Sequence, residues 1–500
     1  MFKPNALFLT DGYKIGHKAM LAPGTTKLYG TWIPRSVKYA PKNIIKIVSF
    51  GQQMTWRWLH DEFEENFFKQ PREVATQFGN DMSAYLGLQY DASHFEALHN
   101  LGYLPLKVKS LPEGIETAPN IPHMTFINTV DGFAWLTLYL ETIVSSLAWK
   151  PSTSATLALQ YRRRAALWVK NTDPSSMWLV PFMCHDFSAR GLNPHDMISS
   201  GLGHATSFRG SDSIITIPAA RYYYGETDVC INSVNASEHS VSTTKIFTVG
   251  EQQMLSDWMK TFPTGILTVV SDTFDLWQLI TQYLPALKDE IMARDGKLVI
   301  RPDSGDPVDI LCGLNSNPDI IRGELDGDIM VSQPGPPEYK GVIELLWDVF
   351  GGTINEQGYK VLDSHIGAIY GDSITIDRAD EICKRLEAKG FASTNVVLGI
   401  GSFTYQYNTR DTFGFAMKAT YVEVNGEGRE IFKDPITDDG TKKSATGLLA
   451  VSRDAFGNIT LNDRVGWDLE NKGLLRTIYN NGEFFNQTTL TEIRERLNKL

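Results

Sequence analysis

Apolar runs that end in a polar residue recur between residues 175 and 405, and a helical segment follows each of them. The polar ends fall at Asp186, Asp272, Asp303, Asp372 and Ser402, in the runs MWLVPFMCHDF, GILTVVSD, KLVIRPD, SHIGAIYGD and NVVLGIGS. From Asp272 to Asp303 is 31 residues, and from Asp372 to Ser402 is 30, about the length of one strand plus one helix. Near-continuous apolar strands that alternate with helices indicate a parallel sheet covered on both faces.

This pattern predicts an α/β fold built on an irregular β/α barrel. An open doubly wound sheet is the alternative, and in both folds functional residues collect at the carboxyl ends of the strands. The loop GIGS after a late strand favours the barrel, because barrels commonly bind phosphate there. The wider gap between Asp303 and Asp372 fits an inserted polar segment, residues 315–341.

The two ends of the chain follow a different pattern. The runs KLYGTWI, IIKIVSFG and LPLKVKSLPEG predict short strands in an α+β domain over residues 1–150. Two helices are predicted over residues 133–170, the second capped by Ser152 or Thr153. We expect the barrel over residues 151–405. Residues 406–500, with alternating strands and a capped terminal helix, are expected to pack with the N-terminal domain and complete an accompanying α+β layer.

Composition narrows the possible partners. The formal net charge of −11 argues against nucleic acid, although a local basic cluster can still bind an anionic small molecule. The four cysteines have neither zinc-ligand nor disulfide spacing, so we expect a reducing, cytoplasmic location. The most apolar segment, residues 133–149, is too short to cross a membrane, and no membrane partner is expected.

Several residues are candidates for chemistry. Each strand-end aspartate taken singly is as well explained as a helix N-cap, but four at matched positions favour a common site. Arg301 is unusual because a buried strand end is a poor place for a guanidinium without an anionic partner. His239 has no metal-ligand partner at suitable spacing, and a structural role is the simpler interpretation from the residues alone. Walker A, GxGxxG and GxSxG motifs are absent.

Taken together, the motifs resemble the nicotinamide phosphoribosyltransferase family, a type II phosphoribosyltransferase group that includes the nicotinate and quinolinate enzymes. The stretches that carry the resemblance run in family order: TDGYKIGHK, PGTTKLYGTWIPR, HDFSARG, FRGSDS, SEHS, VVSDTFD, IRPDSGDP, YGDSI, TRD and FKDP. The resemblance implies transfer of phosphoribose from phosphoribosyl pyrophosphate to nicotinamide, with nicotinamide mononucleotide and pyrophosphate as products. It also implies a homodimer with shared active sites.

The resemblance assigns roles at the nicotinamide end. Phe187 corresponds to the residue that stacks on the pyridine ring, and Tyr13 of the partner subunit would cover the other face. Asp212 corresponds to the carboxylate that accepts a hydrogen bond from the amide and would repel nicotinate. Arg301 would donate to the amide oxygen or to a phosphate.

The resemblance also assigns roles at the phosphoribosyl end. Asp272 and Asp303 would stabilise an oxocarbenium-like transition state, and Gly371 and Asp372 would bind the ribose hydroxyls. Phosphate groups would be held by Arg190, Gly401, Ser402, Arg35, Arg410, Lys418 and Lys433. Of these, Arg35, Arg410 and Lys418 are expected from the partner subunit. Mg²⁺ is expected to be bound through pyrophosphate, with no side-chain ligand assigned.

His239 resembles the histidine that ATP phosphorylates in the family, which makes ATP an expected co-substrate. Three positions depart from the family pattern: GIGSF replaces a GSGGG loop, so that Ser402 stands at a glycine position; NAS replaces PAA before Glu238; and Ala416 replaces a serine. Alternatives are a nicotinate phosphoribosyltransferase, a non-catalytic binding or signalling protein, and a Mg²⁺-dependent hydrolase of sugar phosphates.

Overall fold

The computed structural model describes residues 4–314, 336–437, 440 and 443–499. The chain divides into two compact units. The first unit contains residues 1–156, 217–228 and 408–500, and the second contains residues 157–216 and 229–407. Most of the insert predicted at residues 315–341 lies outside the described residues.

Six parallel strands form the sheet of the second unit. They are Cys184–Asp186 (β1), Asn235–Ala236 (β2), Thr264–Val270 (β3), Asp295–Arg301 (β4), Ile366–Tyr370 (β5) and Val396–Ile400 (β6). Across the sheet their order is β1-β6-β5-β4-β3-β2. Single parallel bridges join Asp186 to Ser211 and Gly210 to Asn232, and so continue the ring from β1 toward the segment that leads into β2. The predicted irregular β/α barrel is confirmed.

The central strands are apolar on both faces, as the sequence pattern requires. Consecutive side chains of a strand point to opposite faces of the sheet, and both members of the consecutive pairs Val269–Val270 in β3 and Val299–Ile300 in β4 are buried. Each fully buried aliphatic side chain of this size stabilises the fold by about 1.5–3 kcal/mol. Because neighbouring strands are in parallel register, Val270 and Arg301 reach the same rim of the barrel.

Helices follow the strands of the barrel. Helical segments of the second unit are Pro174–Phe182, Ala189–Gly191, Pro194–Ala205, His239–Val249, Glu251–Thr261, Leu276–Gln278, Leu279–Tyr283, Leu284–Ala286, Lys288–Met292, Pro307–Cys312, Pro337–Tyr339, Gly341–Phe350, Ile376–Ala388, Ser393–Asn395 and Ser402–Gln406. A small hairpin pairs Gly352–Ile354 with Lys360–Leu362.

The first unit is built on a seven-stranded antiparallel sheet. Its strands lie in the order Glu427–Glu430, Ala416–Val424, Thr25–Ile33, Met124–Asn128, Leu106–Ser110, Arg476–Asn480 and Glu483–Phe484. Strands from both ends of the chain therefore share one sheet, which confirms the predicted α+β layer. Two further hairpins pair Ile47–Ser49 with Ile115–Thr117 and Leu448–Arg453 with Ile459–Val465.

Helices of the first unit include Gln52–Phe63, Glu64–Phe68, Glu73–Leu86, Ser93–Leu101, Ala134–Tyr139 and Trp467–Glu470, with shorter segments Ala6–Phe8, Gly12–Gly16, His17–Met20 and Arg410–Thr412. Glu141–Thr172 and Thr216–Tyr224 each contain a boundary between the units. The predicted terminal helix is Leu490–Leu497. Thr489 caps it and Glu492 completes a reciprocal capping box, as the sequence TLTE indicates.

The capping residue predicted near residue 152 is wrong. Helix Glu141–Thr172 continues through Pro151, Ser152 and Thr153 without a break. The hydroxyl of Ser152 donates to the carbonyl of Val48, and the hydroxyl of Thr153 donates to the carbonyl of Trp149 one turn earlier. Both residues therefore lie in the interior of the helix, and neither hydroxyl caps a helix N-terminus.

The strand predicted for MWLVPFMCHDF is shorter than the apolar run. Residues Pro174–Phe182 form a 3₁₀ segment, and only Cys184–Asp186 pair as a strand. Pro174 and Pro181 lack the N–H that a ladder needs and fix φ near −65°, which favours a helical turn here.

In the part of the chain that the structure describes, no helix is long and apolar enough to cross a membrane. Cys184, Cys230, Cys312 and Cys383 are buried free thiols.

Candidate active site

A cavity of about 590 Å³ opens at the carboxyl ends of the barrel strands. Nine predicted site residues line it. Eight were predicted to bind substrate and one, Asp303, to act in catalysis: Phe187, Arg190, Asp212, Arg301, Asp303, Gly371, Asp372, Gly401 and Ser402. Asp272 and His239 lie next to these lining residues. Asp272 accepts a hydrogen bond from the backbone N–H of Asp303, and His239 follows Glu238 in the chain. The second unit therefore gathers most of the predicted site residues around one hollow.

The strand-end aspartates are not the helix caps. After Asp272, Asp303 and Asp372, the residues that cap the following helices lie three positions further on. Asp275 accepts from the backbone N–H groups of Trp277 and Gln278, and Asp306 and Thr375 do the same for their helices. Separate residues satisfy the helix termini, which leaves the strand-end carboxylates available for the cavity.

Asp186 is the exception among the strand-end aspartates. Its side chain is fully buried, and Oδ1 accepts from the backbone N–H (2.9 Å) and the hydroxyl (2.6 Å) of Ser188. Asp186 therefore stabilises the turn that carries Phe187.

Asp212 lies on the rim and is held through one oxygen. His185 Nε2 is 2.9 Å from Asp212 Oδ1, and the hydroxyl of Ser233 donates to the same atom. Burial alone would raise the pKa of this carboxyl, but the hydrogen bonds from His185 and Ser233, with the positive charge of Arg301, lower the pKa. Asp212 therefore presents an ionised carboxylate to the cavity.

The Phe187 ring lies over two glycines and beside a cation. Cβ atoms at Gly371 and Gly399 would lie 3.0 Å and 2.4 Å from the ring, and the guanidinium carbon of Arg301 lies 5.5 Å from the ring centroid. The His185 ring is 5.0 Å from the Phe187 ring at 46°. This arrangement provides a flat apolar surface next to one carboxylate and one guanidinium, which suits a small aromatic ring bearing a polar group.

Arg301 and Asp303 form an ion pair at the tip of β4. Arg301 Nη2 lies 3.1 Å from Asp303 Oδ2, while Arg301 Nε is buried and has no hydrogen-bond partner among the described residues. A buried, unused guanidinium N–H is costly unless a ligand accepts it. The bond to Asp303 uses one of the five guanidinium N–H groups, so Arg301, which lines the cavity, retains donors for a ligand oxygen.

Asp272 and His239 form a second pair. Asp272 Oδ2 accepts from the backbone N–H of Asp303 at 3.1 Å and from the Ser304 hydroxyl. Asp272 Oδ1 lies 3.6 Å from His239 Nε2, and Thr273 Oγ1 lies 3.3 Å from His239 Nδ1. The aspartate side chain is 7% exposed and the histidine 47%, so a buried carboxylate backs an accessible imidazole.

The remaining lining residues come from three loops. Asp372 accepts from the adjacent Ser373 hydroxyl at 2.8 Å, and Arg190 is exposed on its 3₁₀ turn. A Cβ atom at Gly191 would lie 2.3 Å from the Ser402 side chain, so the loops carrying Arg190 and Ser402 are in close contact. Hydroxyl, guanidinium and backbone donors therefore meet at this end of the cavity.

The other predicted residues lie on the first unit. Arg35 and Lys418 line a separate cavity of about 250 Å³ there, and Arg410 and Lys433 are exposed. Burial lowers the pKa of Lys418, and the positive charges of Arg35, Lys433 and Arg410 lower it further, although Glu141 opposes them. Tyr13, 65% exposed, has Lys14 Nζ 5.2 Å from its ring centroid. These cations form a surface suited to anions.

Sequence reasoning assigned no role to His185 or Ser233. The motif HDFSARG contains His185, but nothing in its spacing shows that the imidazole reaches Asp212. Within the described ranges no cluster of three or more His, Cys, Asp or Glu side chains could hold a metal ion.

The model of the nicotinate phosphoribosyltransferase (NAPRTase) family matches residues 182–483. Three curated relatives are each called nicotinamide phosphoribosyltransferase. That of Acinetobacter baylyi is 44% identical over 515 residues, covering 99% of this chain and 97% of the relative. That of Xanthomonas campestris is 31% identical, covering 98% and 97%, and that of Mycoplasma pneumoniae is 30% identical, covering 88% and 94%.

Two solved structures share the fold. Nicotinate-nucleotide pyrophosphorylase from Pyrococcus furiosus has a TM-score of 0.55 at 16% identity and covers 99% of this chain and 94% of that one. Human nicotinic acid phosphoribosyltransferase has a TM-score of 0.54 at 15% identity, covering 98% and 92%. With the family model matching more than half of the sequence, and with near full-length similarity to curated relatives, the chain belongs to the nicotinate phosphoribosyltransferase family.

Proposed function

We propose that the protein transfers the phosphoribosyl group of phosphoribosyl pyrophosphate to the ring nitrogen of nicotinamide. The bond between C1′ and the pyrophosphate oxygen breaks, and pyrophosphate leaves with the electron pair. The nitrogen lone pair forms the new bond to C1′, giving nicotinamide mononucleotide. The observation that carries the proposal is the ionised Asp212 beside Phe187 and Arg301 in one cavity.

In this proposal Phe187 stacks on the pyridine ring, and Asp212 accepts a hydrogen bond from the amide NH₂. Arg301, which lines the cavity, donates a guanidinium N–H to the amide oxygen or to a phosphate. A nicotinate carboxylate would face the negative charge of Asp212, and this repulsion favours the amide over the acid. The site therefore discriminates between two rings of nearly the same shape by charge.

The carboxylates of Asp303 and Asp272 act on the developing positive charge of the ribose. The transition state of glycosidic transfer resembles an oxocarbenium ion, and fixed carboxylates stabilise such charge without reorganising. Asp272 is fixed by the Asp303 backbone, and Asp303 is fixed by Arg301. Gly371 and Asp372 bind the ribose hydroxyls, and Arg190, Gly401 and Ser402 bind phosphate oxygens.

The leaving pyrophosphate requires positive charge. Mg²⁺ bound to its oxygens would neutralise part of the charge that develops there. We assign the remaining charge to Arg35, Arg410, Lys418 and Lys433. The partner subunit of a homodimer supplies Arg35, Arg410 and Lys418, together with Tyr13.

Complementation tests this shared-site assignment. Asp303→Ala and Lys418→Met each disable every site of their own homodimer. In a co-expressed mixture each heterodimer holds one site with both changes and one with neither, so about a quarter of the activity returns. If the mixture stays as inactive as its parents, each subunit has a self-contained site.

ATP is proposed as a second substrate, with His239 as the phosphate acceptor. The geometry of His239 supports this assignment, because its imidazole is accessible and the buried Asp272 carboxylate lies 3.6 Å from Nε2. A carboxylate in this position holds the imidazole in one orientation. The free thiols support a reducing compartment, and we place the reaction in the cytoplasm.

The direct test is synthesis from phosphoribosyl pyrophosphate, Mg²⁺ and either nicotinamide or nicotinate. We expect mononucleotide from nicotinamide with a far higher kcat/KM than from nicotinate. Asp212→Asn should lower the value for nicotinamide about 10- to 100-fold, the cost of losing a charged hydrogen bond, and should narrow the difference between the substrates. Preference for nicotinate that Asp212→Asn leaves unchanged would identify a nicotinate enzyme instead.

A further inference from the structure

His185 lies behind Asp212, outside the cavity lining. Its side chain is 12% exposed, whereas that of Asp212 is 45% exposed and lines the cavity. The imidazole does not line the cavity, yet it contacts the carboxylate that does. Such a placement suits a residue that acts through its neighbour.

Asp212 is bonded asymmetrically. His185 Nε2 and the Ser233 hydroxyl both contact Oδ1, and within the described part of the chain no group bonds Oδ2. An ionised carboxylate only accepts hydrogen bonds, so His185 must carry a proton on Nε2. One oxygen of Asp212 is thus anchored to the protein, and the other remains for a ligand.

The surroundings of His185 fix its ring. A Cβ atom at Gly210 would lie 2.9 Å from His185 Nδ1, so only a glycine leaves room for the imidazole at this position. The Phe187 ring lies 5.0 Å away on the other side. His204 adds little positive charge, because burial lowers its pKa to about 4.

We infer that His185 is a positioning residue for base selection: it anchors Asp212 through Oδ1 so that Oδ2 accepts the amide N–H of nicotinamide. The inference rests on the proposed function and assigns part of the selectivity to a residue outside the cavity lining. The hydrogen bond also stabilises the charged carboxylate, which agrees with the lowered pKa of Asp212. Without His185 the carboxylate turns more freely and protonates more readily, and both changes weaken discrimination against nicotinate.

A matched pair of variants tests this role. The side-chain amide nitrogen of glutamine can occupy the place of Nε2, whereas that of asparagine reaches only the place of Nδ1. Both replacements are polar, and both remove the ring that contacts Phe187. We expect His185→Asn to lower the ratio of kcat/KM for nicotinamide to kcat/KM for nicotinate roughly 10- to 100-fold. His185→Gln should recover most of that ratio.

The kinetic pattern separates positioning from general damage. His185→Asn should raise KM for nicotinamide while KM for phosphoribosyl pyrophosphate stays within about twofold, and thermal unfolding should confirm a folded protein. Ser233→Ala, which removes the other donor to Oδ1 at an exposed position, should shift the ratio in the same direction.

Equal ratios for His185→Asn and His185→Gln, or a wild-type ratio in His185→Asn, would overturn the role of His185 and leave the proposed function standing. A wild-type enzyme that forms no mononucleotide from nicotinamide would overturn both.

Discussion

A Cβ atom at Gly399 would lie 2.4 Å from Cδ2 of the Phe187 ring. Gly399 is the fourth residue of β6, and the backbone N–H of Phe187 donates to the carbonyl of Ile400 next to it. The position of the ring is therefore set by the missing side chain on the neighbouring strand as well as by its own backbone. Gly399, in the run VVLGIGS, therefore has a packing role at the end of β6.

Gly399→Ala should displace the Phe187 ring and weaken nicotinamide stacking. Offset stacking contributes about 0.5–1.5 kcal/mol, so we expect KM for nicotinamide to rise roughly 2- to 12-fold, while KM for phosphoribosyl pyrophosphate changes little. Steady-state kinetics with each substrate varied in turn would measure this. Gly466→Ala, at a glycine with open space around its Cβ position, is the control. An unchanged KM for nicotinamide would show that Phe187 does not form the stacking surface.

Asp303→Ala should fold and lose most of its turnover. The carboxylate faces the cavity, and loss of one electrostatic contact to a transition state costs about 100- to 1,000-fold in kcat. Asp306→Ala is the matched control three residues away, because Asp306 caps helix Pro307–Cys312. That change should cost about 1 kcal/mol of stability and spare most turnover. If Asp303→Ala and Asp306→Ala lost kcat to a similar extent, the Asp303 carboxylate would have no specific role in the reaction.

The barrel could be predicted from the sequence because local pattern and tertiary role agree there. Val299 and Ile300 point to opposite faces of β4 and both are buried, so the strand is a continuous apolar run that is visible without a structure. The same logic predicted that strand-end residues would meet. The sequence pattern could not show which strand-end carboxylates are engaged in hydrogen bonds to their own turn. Asp186 and Asp303 follow similar apolar runs, but of the two only Asp186 accepts hydrogen bonds from the turn that follows it.

Other features depend on contacts that sequence spacing does not encode. The hydrogen bond between His185 and Asp212 joins residues that are 27 positions apart in the sequence. A parallel β-bridge between their neighbours Asp186 and Ser211 brings the two residues together. Thr491, near the C-terminus, donates to Glu226 in the short segment 217–228, so this segment belongs to the first unit. From its sequence context Ser152 resembles a helix cap, but in the structure its hydroxyl donates to the backbone carbonyl of Val48.

Lys418 should make phosphoribosyl pyrophosphate binding sensitive to alkaline pH. Burial and nearby cations lower the pKa of Lys418 from the usual 10.5, so its charge is present at neutral pH and is lost earlier than for an ordinary lysine as pH rises. We expect KM for phosphoribosyl pyrophosphate to increase with rising pH, at a lower pH than the titration of an ordinary lysine would cause. Lys418→Arg should move this increase to higher pH because arginine stays protonated. If the two pH profiles coincide, Lys418 is not the titrating group.

His239→Ala should abolish the response to ATP and leave a slower ATP-independent synthesis measurable. The imidazole is the accessible nucleophile next to the buried Asp272 carboxylate, so its loss removes the proposed phosphate acceptor without touching Phe187, Asp212 or Arg301. With γ-³²P-labelled ATP the wild-type chain should take up acid-labile phosphate, and His239→Ala should take up none. Asp272→Asn should still take up label but more slowly, because a neutral amide stabilises the imidazolium less. Undiminished stimulation of His239→Ala by ATP would place the coupling at another residue.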